Sequence, residues 1–340
     1  MMAKRAILLA NLGSPNSTDL KDVKAYLNEF LMDEKVIDIP YWIRYFLVKG
    51  IIVPLRAPKS AAKYKTIWTS NGSPLIHTTK LLTEAVEKTS GLPSYMCMRY
   101  ANPTPLSVLA KMASDNPDLE EVVLMPLYPH YAMSSYETAV EHVKKAHQSS
   151  KYSFALKVIE PYYKNEDYID VLSETIKPFL EKPYDHILFS YHGVPERHLK
   201  KTDPTHNHCM TSNDCCNTPS EAHKVCYRHQ VMETTKAVAK KLVIPEDKYS
   251  LSFQSRLGSD KWLEPFTSKE FEDMPERGIK DLVVVCPAFV SDCLETLEEI
   301  WEEGKEEFEK SGGQHFTVVP CLNVHPKWVQ TAVNMVNEVS

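Results

Sequence analysis

A histidine, His192, stands where an apolar run ends. Residues 187–191 are mostly apolar or aromatic, and Gly193 and Pro195 follow the histidine closely. An apolar run bounded by glycine and proline predicts a buried strand, so this strand would carry an imidazole at its C-terminal tip. An imidazole can accept a proton at neutral pH or bind a metal ion. The alternative is a histidine that only hydrogen-bonds to its own loop.

Carboxylates recur at helical spacing in residues 291–310. Glu295, Glu299 and Glu302 lie at i, i+4 and i+7, on a different face from the apolar stripe of the predicted helix. Most acidic rows are solvated surface. Asp292 and Glu295, however, follow a strand tip directly, so we expect them to face a cleft. Carboxylates and imidazole suit a divalent iron ion. Asp292, Glu299 and Glu302 are therefore predicted to lead a cation inward and protons outward.

Four of the eight cysteines fall close together, at Cys209, Cys215, Cys216 and Cys226. In a reducing compartment such a group indicates metal or redox chemistry more often than disulfides. The spacing is not the paired pattern of a zinc ribbon. Four thiolates on an irregular segment can hold an iron–sulfur cluster, which we favour. Zinc is the alternative, with neighbouring histidines as substitute ligands, and free thiols are the least favoured.

Residues 41–60 form an apolar stretch that charged residues and a proline interrupt. The stretch is too short to span a bilayer. It could be an ordinary buried helix. Alternatively, it forms a partly exposed apolar lip that admits a flat hydrophobic ligand or rests on a membrane surface. In the second case Arg56 and Lys59 could meet carboxylates of that ligand.

Length and composition limit the classes of function. A chain of 340 residues suggests about two domains, and 43% hydrophobic with 25% charged residues is typical of a globular protein. The net charge of −6 gives no support for a nucleic-acid partner. Glycine is scarce and no phosphate-cradling loop appears, so nucleotide binding is disfavoured. The opening apolar run is too short for a signal peptide or a membrane span, which predicts a cytoplasmic location.

Strand-like runs alternate with helical stretches along the whole chain. This pattern predicts an α/β fold with parallel sheets flanked by helices, and ligands in such sheets bind beyond the carboxyl ends of the strands. We predict two Rossmann-like domains with a ligand cleft between them. The predicted bounds are 1–155 for the first domain, 156–320 for the second with a cysteine-rich insert at 203–228, and 321–340 for a C-terminal helix that packs back on the first half.

Several motifs in sequence order resemble those of ferrochelatase, the enzyme that inserts ferrous iron into protoporphyrin. They include LLANLGSP, IWTSNGSPL, MRYANP, SYHGVPERH, FQSRLGSDKWLEP, CPAFVSDCLETLEEI and PCLN. The match spans nearly the whole chain. It implies release of two protons and formation of protohaem, the last step of haem biosynthesis, with protoporphyrin IX and Fe²⁺ as substrates.

The resemblance also implies roles for individual residues. His192 is the active-site histidine and Glu295 its partner carboxylate. His192 could be a proton acceptor or a ligand of the incoming iron, and the motifs do not separate these roles. Leu12 occupies a position over the opposite porphyrin face, where leucine cannot ligate iron. Other residues in the matched motifs are expected to line or frame the porphyrin pocket, namely Tyr64, Ser73, Arg99, Tyr100, Tyr128 and Trp262.

The cysteines depart from the animal pattern of this family. Animal members use a C-terminal extension and a first-half cysteine, whereas Met133 stands at about that position here. Some bacterial members carry a cluster on cysteines that follow the histidine motif, and the four clustered cysteines fit that arrangement. The resemblance therefore implies a [2Fe–2S] cluster of structural or sensory function. Cys293 replaces a histidine of animal members.

Other functions remain open at this stage. A non-catalytic tetrapyrrole carrier could share the lip and the cleft, and a coproporphyrin, cobalt or nickel chelatase could share the chemistry. A zinc-dependent hydrolase is the weakest alternative. The lip also leaves open a peripheral position at the inner membrane surface.

Overall fold

Two four-stranded sheets, parallel throughout, form the centre of the molecule. The computed structural model describes residues 4–256, 258 and 260–339. Within the first sheet the strand order is β2-β1-β3-β4, and within the second it is β6-β5-β7-β8. The strands are β1 (Arg5–Asn11), β2 (Ser94–Met98), β3 (Glu121–Pro126), β4 (Ala155–Val158), β5 (His186–His192), β6 (Tyr249–Gln254), β7 (Asp281–Val285) and β8 (His315–Val318).

Helices cover both sheets and supply the crossovers between the parallel strands. The α-helices are α1 (Leu20–Leu31), α2 (Tyr41–Leu47), α3 (Val53–Ile67), α4 (Pro74–Ser90), α5 (Pro105–Asp115), α6 (Thr138–Ser150), α7 (Glu166–Leu180), α8 (Glu196–Thr202), α9 (Tyr227–Leu242), α10 (Thr267–Asp273), α11 (Lys305–Lys310) and α12 (Pro326–Glu338). Three segments have π-helical hydrogen bonding, at Val48–Ile52, Met133–Glu137 and Glu295–Gly304. Short 3₁₀ turns occur at Glu221–Lys224 and Glu246–Lys248.

The two sheets share one topology, because the first strand of each half lies between the second and third. This arrangement confirms the predicted α/β fold with two parallel sheets flanked by helices. Central strands such as β1 are buried along almost their whole length, since helices pack on both faces. The tips of β1 and β5 are therefore equivalent positions in the two halves.

The first sheet extends slightly beyond the predicted domain boundary at residue 155. The strand β4 pairs with β3, so residues 155–158 belong to the first sheet. The last helix, α12, lies against α4 of the first half. The Arg5 guanidinium at the start of β1 donates to the carbonyl oxygens of Val336 and Val339. Trp328 on α12 is fully buried in a core that both halves share.

The stretch 41–60 forms the exposed lip that was one of the two alternatives. It consists of α2, a π-helical turn and the first half of α3. Trp42 and Phe46 are each 69% exposed, and Leu55 is 71% exposed. Within the described part of the chain, no helix is both long and apolar enough to cross a membrane.

Candidate active site

The imidazole of His192 ends β5 and keeps one nitrogen available. Its Nδ1 lies 2.7 Å from the carbonyl oxygen of Gly193, and a carbonyl oxygen can only accept a hydrogen bond. In the neutral ring Nδ1 therefore carries the hydrogen and Nε2 carries the lone pair. The ring is half-buried, with the Phe289 ring 6.4 Å away between centroids. The loop thus fixes the tautomer that can accept a proton or bind a metal ion through Nε2.

Gly193 allows the histidine loop to lie close to the end of β6. Its N–H donates to the Gln254 carbonyl oxygen at 2.7 Å. A Cβ atom here would lie 3.0 Å from the carbonyl oxygens of Gln254 and Ser255 and 3.3 Å from the Trp262 ring. The half-buried Trp262 lies beside the histidine loop, because it also bridges to Pro195. The tips of β5 and β6 are thereby locked together.

The acidic helix begins as a π-helix, Glu295–Gly304, rather than as the predicted α-helix. A π-helix has i→i+5 hydrogen bonds and wider turns, so α-helical spacing does not describe its faces. Glu299 is turned inward, where its carboxylate accepts a hydrogen bond from the Ser255 hydroxyl at 2.5 Å. Glu302 is exposed. The predicted alignment of Glu302 with Glu295 and Glu299 is therefore wrong, because it assumed 3.6 residues per turn.

The Glu299 carboxylate interacts electrostatically with the Glu295 carboxylate and with the His192 imidazole. The pKa of Glu299 is raised by burial and by the nearby Glu295 carboxylate, while Ser255 and His192 lower it in part. The Cys293 thiol hydrogen-bonds to Glu295. A carboxyl group whose pKa is raised by burial and by a second carboxylate holds a proton more readily than an isolated carboxyl group does.

First-half residues form the wall opposite Glu295. A cavity is lined by Leu12, Ser14, Tyr64 and Ser73 together with Glu295. The Ser14 hydroxyl is buried and has no hydrogen-bond partner among the described residues. A buried polar group without a partner is uncommon and is consistent with a ligand contact. The structure thus brings together Leu12, Tyr64, Ser73 and Glu295, while sequence reasoning missed Ser14.

Three other predicted pocket residues frame this wall. The Arg99 guanidinium donates to Thr138 and Asp33, and the fully buried Tyr100 hydroxyl also donates to Asp33. Both side chains therefore support the wall from behind. The Tyr128 hydroxyl is buried and finds no hydrogen-bond partner in the described parts of the chain. Burial raises the pKa of Tyr128, so its phenol stays protonated and can donate.

Comparisons with known proteins show the family of this chain. Residues 4–340 match the family model described as Ferrochelatase. A ferrochelatase of Opitutus terrae is 48% identical over 340 residues, covering 98% of this chain and 97% of the relative. One of Pseudomonas entomophila is 46% identical, covering 98% and 99%. The chain belongs to the ferrochelatase family. This result confirms the resemblance drawn from the motifs.

Solved chelatase structures share the fold. SirB from Bacillus subtilis with Fe³⁺ has a TM-score of 0.55, with 98% of this chain and 95% of SirB covered. The sirohydrochlorin chelatase SirB from Bacillus subtilis subspecies spizizenii in complex with cobalt has a TM-score of 0.54, with 98% and 94% covered. Sequence identities of 12% and 10% limit this likeness to the fold.

Two predicted members of the ferrochelatase site lie apart from the cavity wall. Asp292 accepts hydrogen bonds from the Thr296 hydroxyl and the Asn323 amide, while Asn323 accepts one from the Asp292 N–H. Its carboxylate thus fixes the start of the acidic helix to the PCLN loop. Arg56 is exposed on α3, within the lip.

The cysteine insert brings its four thiols together in this ferrochelatase chain. Cys209, Cys215, Cys216 and Cys226 are all buried. Cys226 hydrogen-bonds to Cys209 and Cys216, and Cys216 also hydrogen-bonds to Cys215. The hydrogen bond with Cys209 is the main cause that raises the pKa of Cys226 to about 12. The Arg228 guanidinium lies 3.9 Å from the Cys215 sulfur.

The contacts that Cys216 and Cys226 make with the other two cysteines hold the four thiols close to one another. Among the described residues, no group of three or more His, Cys, Asp or Glu is arranged to hold a metal ion. The histidines also have other partners, since His208 and His223 contact the Cys215 carbonyl oxygen and His229 contacts that of Cys216. Four cysteine sulfurs are nevertheless a donor set that a binuclear iron–sulfur cluster uses, with two sulfurs on each of two iron atoms.

Proposed function

We propose that this chain inserts Fe²⁺ into protoporphyrin IX, giving protohaem and two protons. Membership of the ferrochelatase family supports this reaction. The structural observation that carries the proposal is the tip of β5, where His192 holds Nε2 free while Gly193 binds Nδ1. Glu295 lines the cavity that first-half residues complete.

In the proposed mechanism His192 accepts a proton from the porphyrin. Free porphyrin carries two pyrrole N–H groups, and both protons must leave as iron takes four nitrogen ligands. The lone pair of Nε2 accepts the first proton, and the resulting imidazolium keeps its hydrogen bond from Nδ1 to Gly193. The two nearby carboxylates stabilise that positive charge. A positioned general base of this kind contributes typically about 10²–10⁴-fold to a rate.

Glu295 and Glu299 carry the protons away and steady the incoming iron. Burial and the Glu295 carboxylate raise the pKa of Glu299, so it accepts a proton more readily than an ordinary carboxyl group and can pass that proton to solvent. The Ser255 hydroxyl fixes its carboxylate. Ser255 has a backbone φ of 57°, a left-handed conformation that costs roughly 1 kcal/mol or more outside glycine. Iron remains Fe²⁺ throughout, so the reaction balances without an oxidant or a reductant.

The cleft grips the macrocycle between its two walls. Leu12 and Tyr64 offer apolar surface to one ring face, and the protonated Tyr128 phenol and Ser14 hydroxyl can donate hydrogen bonds. Gripping the ring holds it distorted, so binding energy from its edges lowers the barrier to metal insertion. The exposed lip beside this cleft favours the less charged dicarboxylate, protoporphyrin, over coproporphyrin. We expect Arg56, which is exposed within the lip, to meet a propionate at the rim.

An anaerobic assay of the purified protein tests the reaction. Fe²⁺ is supplied with protoporphyrin IX or with coproporphyrin, and haem formation is followed by absorbance. We expect turnover with protoporphyrin and at least tenfold lower kcat/KM with coproporphyrin. Preference for coproporphyrin would overturn the substrate assignment, and porphyrin binding without turnover would indicate a carrier.

We propose further that Cys209, Cys215, Cys216 and Cys226 hold a [2Fe–2S] cluster. Their mutual contacts, their burial and the fit of the donor set support this. Such a cluster would supply redox or structural sensitivity, while iron insertion needs no electron transfer. Protein purified without oxygen should be brown and contain labile sulfide. Cys216→Ser should lose the colour, and Cys97→Ser, a buried cysteine outside the insert, should retain it. Colourless zinc-loaded protein would refute the cluster.

The lip supports a proposal of peripheral contact with the inner membrane surface. Its exposed Trp42, Phe46 and Leu55 can insert into the interface between head groups and acyl chains. Flotation with phosphatidylglycerol-containing liposomes tests this contact. The triple serine variant of these residues should float at least fivefold less than the natural protein, and equal flotation would exclude the lip.

A further inference from the structure

One lysine of the first half contacts two carboxylates of the second. Lys63 lies on α3, and its Nζ is 2.8 Å from Oε2 of Glu298 and 2.6 Å from Oε2 of Glu303. Both glutamates belong to the π-helix. The ammonium therefore bridges the two halves of the molecule beside the acidic helix.

Burial makes this contact more than a surface ion pair. The Glu298 side chain is 6% exposed and Lys63 is 31% exposed. A buried carboxylate without a partner is costly, so removal of the lysine leaves an uncompensated negative charge. Burial alone would lower the pKa of Lys63, yet its hydrogen bonds to Glu298 and Glu303 raise the pKa overall. The side chain thus remains a cation.

The position of Glu303 follows from the wide turns of the π-helix. Glu295, Glu299 and Glu303 are spaced by four residues, which is close to one turn of such a helix. Glu303 therefore continues the direction of Glu295 and Glu299 toward solvent. Lys63 meets the row at this outer end, where a pair of free carboxylates would attract a divalent cation.

We propose that Lys63 is a positioning residue that closes the outer end of the acidic row. Its ammonium occupies the space between Glu298 and Glu303, ties α3 to the π-helix and prevents divalent iron from lodging there. Iron then reaches Glu295 and Glu299 instead of being retained outside. This inference rests on the proposed role of Glu295 and Glu299 in handling iron.

Mn²⁺ binding tests the proposal, because Mn²⁺ is a stable, paramagnetic stand-in for Fe²⁺. Binding to the full-length protein is titrated by electron paramagnetic resonance. We expect Lys63→Met to bind Mn²⁺ at least tenfold more tightly than the natural protein at one site. Lys63→Arg should restore weak binding, and Lys63→Met with Glu303→Gln should abolish the gain. The matched control is Lys65→Met, an exposed lysine on the same helix.

The same variants give a kinetic measurement. The metal concentration that inhibits haem formation should be about tenfold lower in Lys63→Met than in the natural protein. In Lys63→Arg it should equal the value of the natural protein. Thermal unfolding verifies that each variant is folded, and Lys63→Gln, which also removes the cation, serves if Lys63→Met is not. Unchanged Mn²⁺ affinity in folded Lys63→Met, or an equal gain in Lys65→Met, overturns the inference. Full activity of Glu299→Gln would instead refute the proposed iron route. The Mn²⁺ affinity of the Lys63 variants tests the role of Lys63 independently of that result.

Discussion

The two halves of the molecule share a strand order but differ in what the central strand delivers. β1 ends at Asn11, followed by Leu12, whereas β5 ends at His192, followed by Gly193. Both tips lie at the carboxyl edge of a parallel sheet, the usual place for a ligand. The first half presents an apolar side chain there, and the second half presents a titratable one.

Hydrogen bonds explain why the two tips behave differently. The Asn11 amide donates to Thr79, and its oxygen accepts from the Leu12 N–H, so the side chain is used within the fold. The His192 ring uses only one of its two nitrogens, Nδ1, in a hydrogen bond to its own loop. The tip of β1 therefore uses its polar side chain within the fold, whereas the tip of β5 leaves one imidazole nitrogen outside that hydrogen bond. A duplicated topology can divide binding and chemistry in this way without duplicating residues.

The largest expected effect comes from removing the reactive group of the second tip. His192→Ala should lower kcat for haem formation by about 10³-fold, because the base and the nearest ligand candidate are lost together. Porphyrin affinity, measured by fluorescence quenching, should change less than threefold, since the first half forms much of the wall. His315→Ala, an exposed histidine on β8, is the control. Retained turnover would remove His192 from the mechanism.

The second-largest effect is expected on the acidic helix, where a carboxylate that lines the cavity can be compared with an exposed one. Glu295→Gln preserves shape but removes the charge, so kcat should fall by about 10²-fold. Glu302→Gln should stay within twofold of the natural rate, because this side chain is exposed. Initial rates at saturating porphyrin measure both. If kcat fell equally in the two variants, Glu302 would act together with Glu295, as the α-helical spacing predicted.

Much of this architecture was predictable because it rests on local pattern. Apolar runs without alternation predicted buried parallel strands, and the end of one such run correctly predicted His192 at the tip of β5. The exposed lip remained one of two alternatives, since an apolar run looks the same in a core and at a surface. Its exposure depends on what packs against it, and that is a tertiary property.

Other parts of the site depend on geometry that residue spacing does not contain. The π-helical turns moved Glu302 outward, and no sequence rule for helix faces anticipates them. The pairing of Lys63 with Glu298 joins residues 235 positions apart. Ser14 was missed because a serine in a turn is usually a cap.

Substitution of one glycine at each strand tip tests how closely the backbone is packed there. Gly13 has φ +106°, and a Cβ there would lie 2.0 Å from the Tyr100 carbonyl oxygen. Gly13→Ala should therefore lower the free energy of unfolding by about 3 kcal/mol. Gly193→Ala brings a Cβ to 3.0 Å from two carbonyl oxygens, which should cost about 1 kcal/mol. Urea denaturation measures both. A larger loss of unfolding free energy in Gly193→Ala than in Gly13→Ala would show that the tip of β5 is packed more closely than the tip of β1.

The smallest expected effect is a pH dependence of stability at the contact between the halves. Burial raises the pKa of Glu298 to about 7, although Lys63 opposes the shift. The folded state therefore binds this proton more tightly than the unfolded chain does. The resulting stability is fully present below the ordinary carboxyl pKa and is lost as pH rises through about 7.

The urea midpoint of the natural protein should fall between pH 5 and pH 8 relative to Glu298→Gln, whose amide does not titrate. Glu306→Gln is the control, because Lys310 lowers the pKa of Glu306 and the sign is opposite. Parallel pH curves for the natural protein and Glu298→Gln would show that Lys63 outweighs burial at this contact.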